Sequence, residues 1–320
     1  MNLLFDKLTN KKYMLTGTSI LRISFGLIIL YMYLIHYVQR RFLWGPNGMQ
    51  SHDSLREQMT LTSNFSLYQI SDSMVYFEII FHLGILFALL FTIGFMNRIV
   101  SIFNFIFLWS LQHANVLILD GGDNIMRIVL LYLIFANTSS YFSIDHRLKA
   151  GKAKPKPKPL SNSLHNLAVA TTILQLCFLY LSSGLHKVMG EMWTNGTALY
   201  YILQVGEYTH PFFQRIISSS DIILMISAYS AIFIQLSFPF LLLNRYTKYI
   251  AMFNIIALHT GIAIIMGLFT FSAIMISIQF LMLSDGEYKK AFAYISLSAT
   301  KVKQKFQNGR VENYDTKQIQ

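Results

Sequence analysis

Apolar runs as long as a bilayer is thick recur along this chain, and no other feature constrains its fold as tightly. A helix rises about 1.5 Å per residue, so about 20 apolar residues cross the hydrocarbon core. Such runs predict membrane helices at 16–38, 74–95, 99–118, 125–143, 164–187, 222–243, 247–266 and 268–284. Composition agrees. Hydrophobic residues make up 54% of the 320 and charged residues 13%, where soluble domains carry about 25%. The expected fold is all-α, a polytopic membrane bundle of about eight transmembrane helices. The last two runs form either a tight hairpin through Met266-Gly267 or one broken helix.

The charges orient the bundle. With the N-terminus inside, the cytoplasmic segments are the N-terminal arm, Asn97-Arg98, 144–163, 244–248 and the stretch from 285, and they hold 19 of the 26 basic residues. The outer loops keep Arg40, Arg41, Arg56, Lys187 and Arg215. This is the positive-inside bias, with both termini cytoplasmic. The net charge of +11 therefore reports topology and attraction to anionic lipid, and no nucleic-acid partner is expected.

The alternating Lys and Pro of "KAKPKPKP" at 152–159 favour extended, solvated backbone. This stretch lies in a cytoplasmic linker, 147–163, that separates two groups of four helices. With no internal repeat between them, one membrane domain over 1–290 is expected, followed by a basic cytoplasmic tail, 291–320. The N-terminus has no removable-signal pattern. The single cysteine, Cys177, sits in an apolar run and rules out an internal disulfide framework.

Ionisable residues are costly within a bilayer, so each is a functional candidate. Glu78 and His82 share a helix face at i and i+4, as a carboxylate orienting an imidazole or as a structural pair. His113 and His259 fall toward the outer face by this topology, as pocket candidates. No histidine pair stands at ligand spacing on one helix, and no metal site is expected. In "DGGDNIMR", Asp123 or Asn124 can cap a helix, and Asp123 can reach Arg127 one turn on. Arg22 either snorkels to the cytoplasmic interface or binds a lipid phosphate.

The densest stretch is "LSSGLHKVMGEMWTNGTALYY", 181–201. Small Ser182, Ser183 and Gly184 let a neighbouring helix approach closely. Tyr180, Ser183 and Lys187 fall on one helical face. His186 follows as a second cation, Trp193 and Tyr200 as pocket or interface aromatics, and Asn195-Gly196 as a turn. Lys187 has two readings: a neutral amine acting as a base, or an interfacial ammonium snorkelling beside Trp193.

"SGLHKVMGEMWTNGTALYYIL" resembles the signature of the HTTM domain, the membrane domain shared with vitamin K-dependent gamma-glutamyl carboxylases. "RISFGLIILYMYL", "GPNGM", "DGGDNIMR" and "HTGIAIIMGLFTFSAIMI" fit it too, and together they span 16–284. The chain ends soon after its last helix, without the large lumenal domain of the carboxylases. It thereby looks like the short bacterial branch, the sporulation-delaying protein B family.

That resemblance implies an integral factor of the bacterial plasma membrane needed to mature a secreted peptide toxin, an antimicrobial peptide, together with a small companion protein. In the carboxylases the matching lysine is the base that activates a quinone cofactor, vitamin K hydroquinone. Lys187 holds that position, with His186 where those enzymes carry another lysine. Three functions remain open: maturation of a toxin precursor at the outer face, a quinone-dependent carboxylase-like enzyme, and a non-enzymatic immunity or transport protein. For the first, Lys187, His186, Glu78 and His82 are the candidate catalytic groups. A reporter fused after Pro159 is expected to read cytoplasmic and one within 194–215 external; the opposite reading at either site would overturn the outward-facing pocket.

Overall fold

The computed structural model describes residues 8–151 and 158–298. Most of the Lys/Pro stretch and the tail beyond 298 lie outside the described residues. Eight principal helices follow one another: α1 Leu15–Ile35, α2 Met74–Ile93, α3 Asn97–Ala114, α4 Gly121–Leu133, α5 Pro159–Met189, α6 Asp221–Leu241, α7 Thr247–Met266 and α8 Phe269–Gln279. Among the described residues the only strand-like pairing is an isolated bridge between Asn47 and Ser51. Part of the expected tail is helical, because α9 runs over Asp285–Ser298.

Five helices, α1, α2, α5, α6 and α7, are long and apolar enough to cross a membrane. A sixth span results if Phe269–Met282 and α9, bent by 103° at their junction, count as one. Exposed side chains such as Leu27, Ile79, Phe178, Phe233 and Phe253 clothe these helices. That much exposed hydrocarbon suits lipid and not water. The eight spans read from the sequence thus reduce to five or six by length and composition. α3 carries Asn97, Arg98, Asn104 and Gln112, and α4 has only 13 residues.

One apolar core joins both groups of four helices. Leu21, Phe25, Ile29 and Tyr33 line one face of α1 and pack with Phe81 and Phe91 of α2. The two backbones approach closely because glycine stands where they touch. A Cβ on Gly26 would lie 2.9 Å from Thr92 Cα, and one on Gly84 would lie 2.7 Å from the Tyr33 ring. α8 packs on both α1 and α4, so the second group closes onto the first. His259 of α7 meets Phe271 of α8 with ring centres 5.3 Å apart. Twelve residues of continuous helix would separate them by roughly 18 Å. The chain therefore reverses at Gly267, in left-handed conformation at φ 68°, and the hairpin reading is correct.

Helix ends are capped across long sequence distances. The free N–H groups of Leu15 and Thr16 donate to the Asp285 carboxylate at 3.2 and 2.7 Å. Those of Met96 and Asn97 donate to Asp145 at 2.9 and 3.0 Å. Asn137 N–H donates to His165 Nδ1 at 2.9 Å, and His165 Nε2–H donates to Tyr13 O at 2.7 Å. These bonds gather the N-terminal arm, the α2–α3 turn, 134–149, the start of α5 and the start of α9 at one end of the bundle. The other end is tied by Asn115 donating to Leu43 O, Ser66 to Ser110 O and His210 N–H to Ile265 O, at 3.0, 2.7 and 3.0 Å.

The structure corrects the reading of 125–143 as one helix. α4 stops at Leu133, and 135–143 is irregular. Irregular backbone packed away from water needs its polar groups paired by other protein atoms. Arg22 does this and neither snorkels nor reaches lipid, being fully buried. Its Nε donates to Thr138 O at 2.9 Å and its Nη2 to Phe142 O at 2.7 Å. Nη1 donates to Phe91 O at 2.8 Å and also to Thr92 O, carbonyls of the last turn of α2, of which Phe91 O also accepts the Gly94 N–H. Arg22→Met is expected to lower stability by roughly 3 kcal/mol or more, and Arg22→Lys to rescue little because one ammonium lacks the planar fork. Thermal unfolding of the solubilised protein checks this; an unchanged midpoint for Arg22→Met would refute it.

Candidate functional site

The stretch after α5 folds back on its own helix. Glu191–Thr194 and Ala198–Leu203 are short helices joined through Gly196, in left-handed conformation at φ 74°. A Cβ there would also come within 3.0 Å of Met225 Cγ, so the expected turn role of Gly196 has a packing reason as well. Tyr229 O–H donates to Thr194 O at 2.6 Å and ties the turn to α6. The reversal lays the Trp193 ring over Lys187, with Nζ 4.9 Å from the ring centre. Lys187 Nζ also donates to Ser183 Oγ, one turn earlier, at 2.9 Å.

Lys187 faces a cavity of about 540 Å³ between α5, α6, α7 and the returning segment. Its walls are largely apolar, with polar groups supplied by Lys187, Ser183, Ser227, Ser230, Gln235 and His259. No aspartate or glutamate lines it. His259 is nearly fully buried, and its Nε2 lies 3.1 Å from Tyr180 Oη. Among the described residues, His259 Nδ1 and Gln235 Oε1 have no hydrogen-bond partner. Above Tyr180, Gly184 admits α6: a Cβ at Gly184 would sit 2.7 Å from Leu236 Cδ2. The small-residue step thus does bring a neighbouring helix close, and Tyr180, Ser183 and Lys187 share the face turned toward α6 and α7. The arrangement can bind an apolar molecule and present it to an amine, an imidazole and an amide.

Lys187, Trp193 and His259 are therefore brought together. His186, one residue round the helix, is exposed and does not border the cavity. Tyr200 is 44% exposed and packs edge-on against Tyr201, also outside it. His113 belongs to the other half: its ring stacks on Trp109 at 4.2 Å, and its Nδ1 bonds Trp109 O at 2.8 Å. Arg127 lies across the same tryptophan at 5.0 Å.

Glu78 and His82 also stand apart from Lys187. Glu78 accepts from Arg40 Nε at 2.9 Å, Arg40 Nη2 at 3.1 Å and Arg41 Nε at 2.6 Å. His82 Nδ1 donates to the Glu78 backbone carbonyl at 2.7 Å, and its Nε2 meets Tyr37 Oη at 3.0 Å. The glutamate clamps two arginines at the end of the α1–α2 pair; the hydrogen bond between the pair's own residues is to backbone. The second motif needs a correction too. Asp120 is the N-cap of α4, accepting from Gly122 and Asp123 N–H, and Asp123 returns the bond to Asp120 N–H in a capping box. Arg127 bonds Asn124 Oδ1 at 2.8 Å, and no Asp123–Arg127 ion pair forms.

Sequence reading missed Gln235, Ser227 and Ser230. Gln235 was detectable as a lone amide in the apolar run "IFIQLSF". Ser227 and Ser230 carried no such signal, because serine is common at helix contacts.

The HTTM domain description matches residues 12–285. The chain belongs to the HTTM domain family. The HTTM match takes in α1 to α8, and so contains both the Lys187 cavity and the Glu78 clamp. Sporulation-delaying protein SdpB of Bacillus subtilis (strain 168) is 29% identical over 140 residues, which cover 43% of this chain and 42% of that relative. This chain therefore spans less than half the length of that relative in the match. No solved structure matches.

The clamp yields a prediction. Glu78→Gln leaves two arginines without a charged acceptor and is expected to cost roughly 1–3 kcal/mol. Thermal midpoint and membrane abundance should fall while whatever activity depends on Lys187 persists per molecule. Full abundance with lost activity would instead make Glu78 part of the chemistry.

Proposed function

We propose that this HTTM protein is an integral membrane factor in the maturation of an exported peptide toxin precursor, working at the outer face with a small partner protein. The observation that carries the reading is the Lys187 cavity. An amine, an imidazole and an amide share an apolar hollow near the bundle end, roofed by Trp193. Its volume of about 540 Å³ falls within the range of small-ligand pockets, roughly 300–1,000 Å³. The similarity to SdpB supports the toxin context. In this reading Lys187 is a general base, His259 orients with Tyr180, and the apolar walls exclude water.

The topology proposed with it is eight crossings, both termini cytoplasmic and the cavity outward. Its support is the alternation of helix ends between the two ends of the bundle, together with the basic residues gathered at the end of Lys12 and Arg98. α3, α4 and α8 would cross partly sheltered by the longer helices. The protein would then sit in the bacterial plasma membrane as one domain over 1–290 with a basic tail.

A quinone-dependent, carboxylase-like activity is the second reading, and the unpartnered His259 Nδ1 and Gln235 Oε1 favour it. The residues present fit such a group: apolar walls for the ring and tail, with His259 and Gln235 free to bond ring oxygens. A bound hydroquinone would supply reducing power; Lys187 would hold or release a proton at Nζ. Mass spectrometry of an organic extract of the purified protein separates the two readings.

The test of Lys187 compares two variants. Lys187→Arg keeps the charge but cannot deprotonate, since its pKa exceeds about 12; Lys187→Ala removes charge and base together. For a base, both are expected to lower the yield of mature secreted peptide by roughly a hundredfold or more at equal membrane levels. Near-normal yield from the arginine variant would end the base reading and leave an interfacial ammonium.

A further inference from the structure

At the other end of α5, roughly 40 Å from Lys187, lies a larger cavity of about 840 Å³. Four separate stretches of chain wall it: the N-terminal arm, the start of α3, the 136–149 segment and the start of α5. Each brings a cation, namely Lys11 and Lys12, Arg98, Lys149, and Lys158. Among the described residues the one carboxylate in the wall is Asp145, and it is already committed to the N–H groups of Met96 and Asn97. Among the described residues the ion pairs are those of Glu78 with Arg40, Arg41 and His82, and of Glu287 with Lys248. None involves these five cations.

A positive-inside bias puts lysines on one side of a membrane, but it does not require them to converge on a hollow. Convergence has a cost, and Lys12 registers it: burial first, and then the nearby Arg98, push its ammonium below the usual lysine range. Concave walls of one sign with low-dielectric backing focus the field and concentrate a counter-ion. Asn10 and Asn137 border the same hollow and add amide N–H groups, while the Asn162 amide, also on its wall, donates to Thr9 O at 2.7 Å. Lysines serve as point-charge ligands for phosphate, and arginine adds a planar fork.

We propose that this cavity binds a phosphate group, carried either by the head of an anionic phospholipid or by a free phosphate ion. The cavity opens at the bundle end where the helix caps gather, the level at which lipid head groups meet a membrane protein.

The test uses the full chain in nanodiscs. Lys12→Gln/Arg98→Gln removes two charges from the cavity. Lys289→Gln/Lys290→Gln removes two from the exposed start of α9, and neither of those lysines borders the hollow. In the first arm, phosphatidylglycerol is titrated into phosphatidylcholine discs, and retained lipid is counted by native mass spectrometry. At about 1 kcal/mol per basic residue near a membrane surface, the cavity variant should lose affinity roughly thirtyfold, with the α9 variant near wild type. In the second arm, inorganic phosphate is titrated into discs of pure phosphatidylcholine and the thermal midpoint is followed. A saturable rise in wild type, absent from the cavity variant, assigns the site to free phosphate.

Equal losses in both double variants would mean generic surface charge, and no loss in either arm would mean no site. Each result overturns the proposal. Lys12→Arg, which keeps the charge, should bind as wild type. If the double variant does not fold, Lys149→Gln at an exposed position carries the comparison, with a several-fold loss expected.

Discussion

A single buried guanidinium holds together the part of the bundle that regular helix could not. α2 ends at Ile93, α4 ends at Leu133, and 135–143 runs irregularly beside them. Carbonyls packed away from water need protein donors. Arg22, seven residues into α1, donates to carbonyls of both segments. Its charge also suits the negative end of the α2 dipole. Because the same residue pins α1, the α2 terminus and 138–142, the first group of helices closes around it. α8 then packs onto that closed unit through α1 and α4.

Carboxylates do the complementary work, and their use shapes where free charge remains. Asp285 and Asp145 cap α1 and α3 from 270 and 48–49 residues away, and Asp120 with Asp123 closes the start of α4. Glu78 is taken by two arginines, and Glu287 by Lys248 and Tyr249. In a chain with 15 acidic residues against 26 basic ones, these commitments leave cations with no carboxylate partner among the described residues in two hollows. One holds Lys187 among apolar walls. The other gathers Lys11, Lys12, Arg98, Lys149 and Lys158 among amides. A lone lysine in an apolar hollow suits chemistry on an apolar ligand, while a convergent set of cations suits an anion.

The Lys187 cavity exists because α5 and α6 touch at one level and part at another. Gly184 lets Leu236 and its helix approach. Closer to the bundle end, Trp193 and the helix Ala198–Leu203 fill only the rim. Beneath the hollow, Tyr180, Phe238 and His259 make a packed floor, with Tyr180 and Phe238 rings 4.7 Å apart.

Each of the eight principal helices overlaps an apolar run read from the sequence, because such a run is a local property of consecutive residues. Only five or six are long and apolar enough to cross a membrane, however, and α4 ends ten residues before the run read for it. Also legible were the turn at Gly196, the close approach at Gly184 and the shared face of Tyr180, Ser183 and Lys187, which follow from helical periodicity. What the sequence could not supply was the pairing of groups far apart along the chain. Glu78 was read with His82 because they are neighbours on one helix, and the imidazole does lie 3.6 Å from the carboxylate, yet the carboxylate's hydrogen bonds come from Arg40 and Arg41, brought in by the turn after α1. Asp123 was matched to Arg127 by spacing, whereas Asp120 needed it for the cap. His186 and Lys187 are adjacent in sequence but 100° apart around a helix, and only the packing of α6 and α7 decided which of them met the cavity. Local periodicity writes helices into a sequence; the hydrogen bonds of buried polar groups are settled by whichever partners the finished bundle brings within reach.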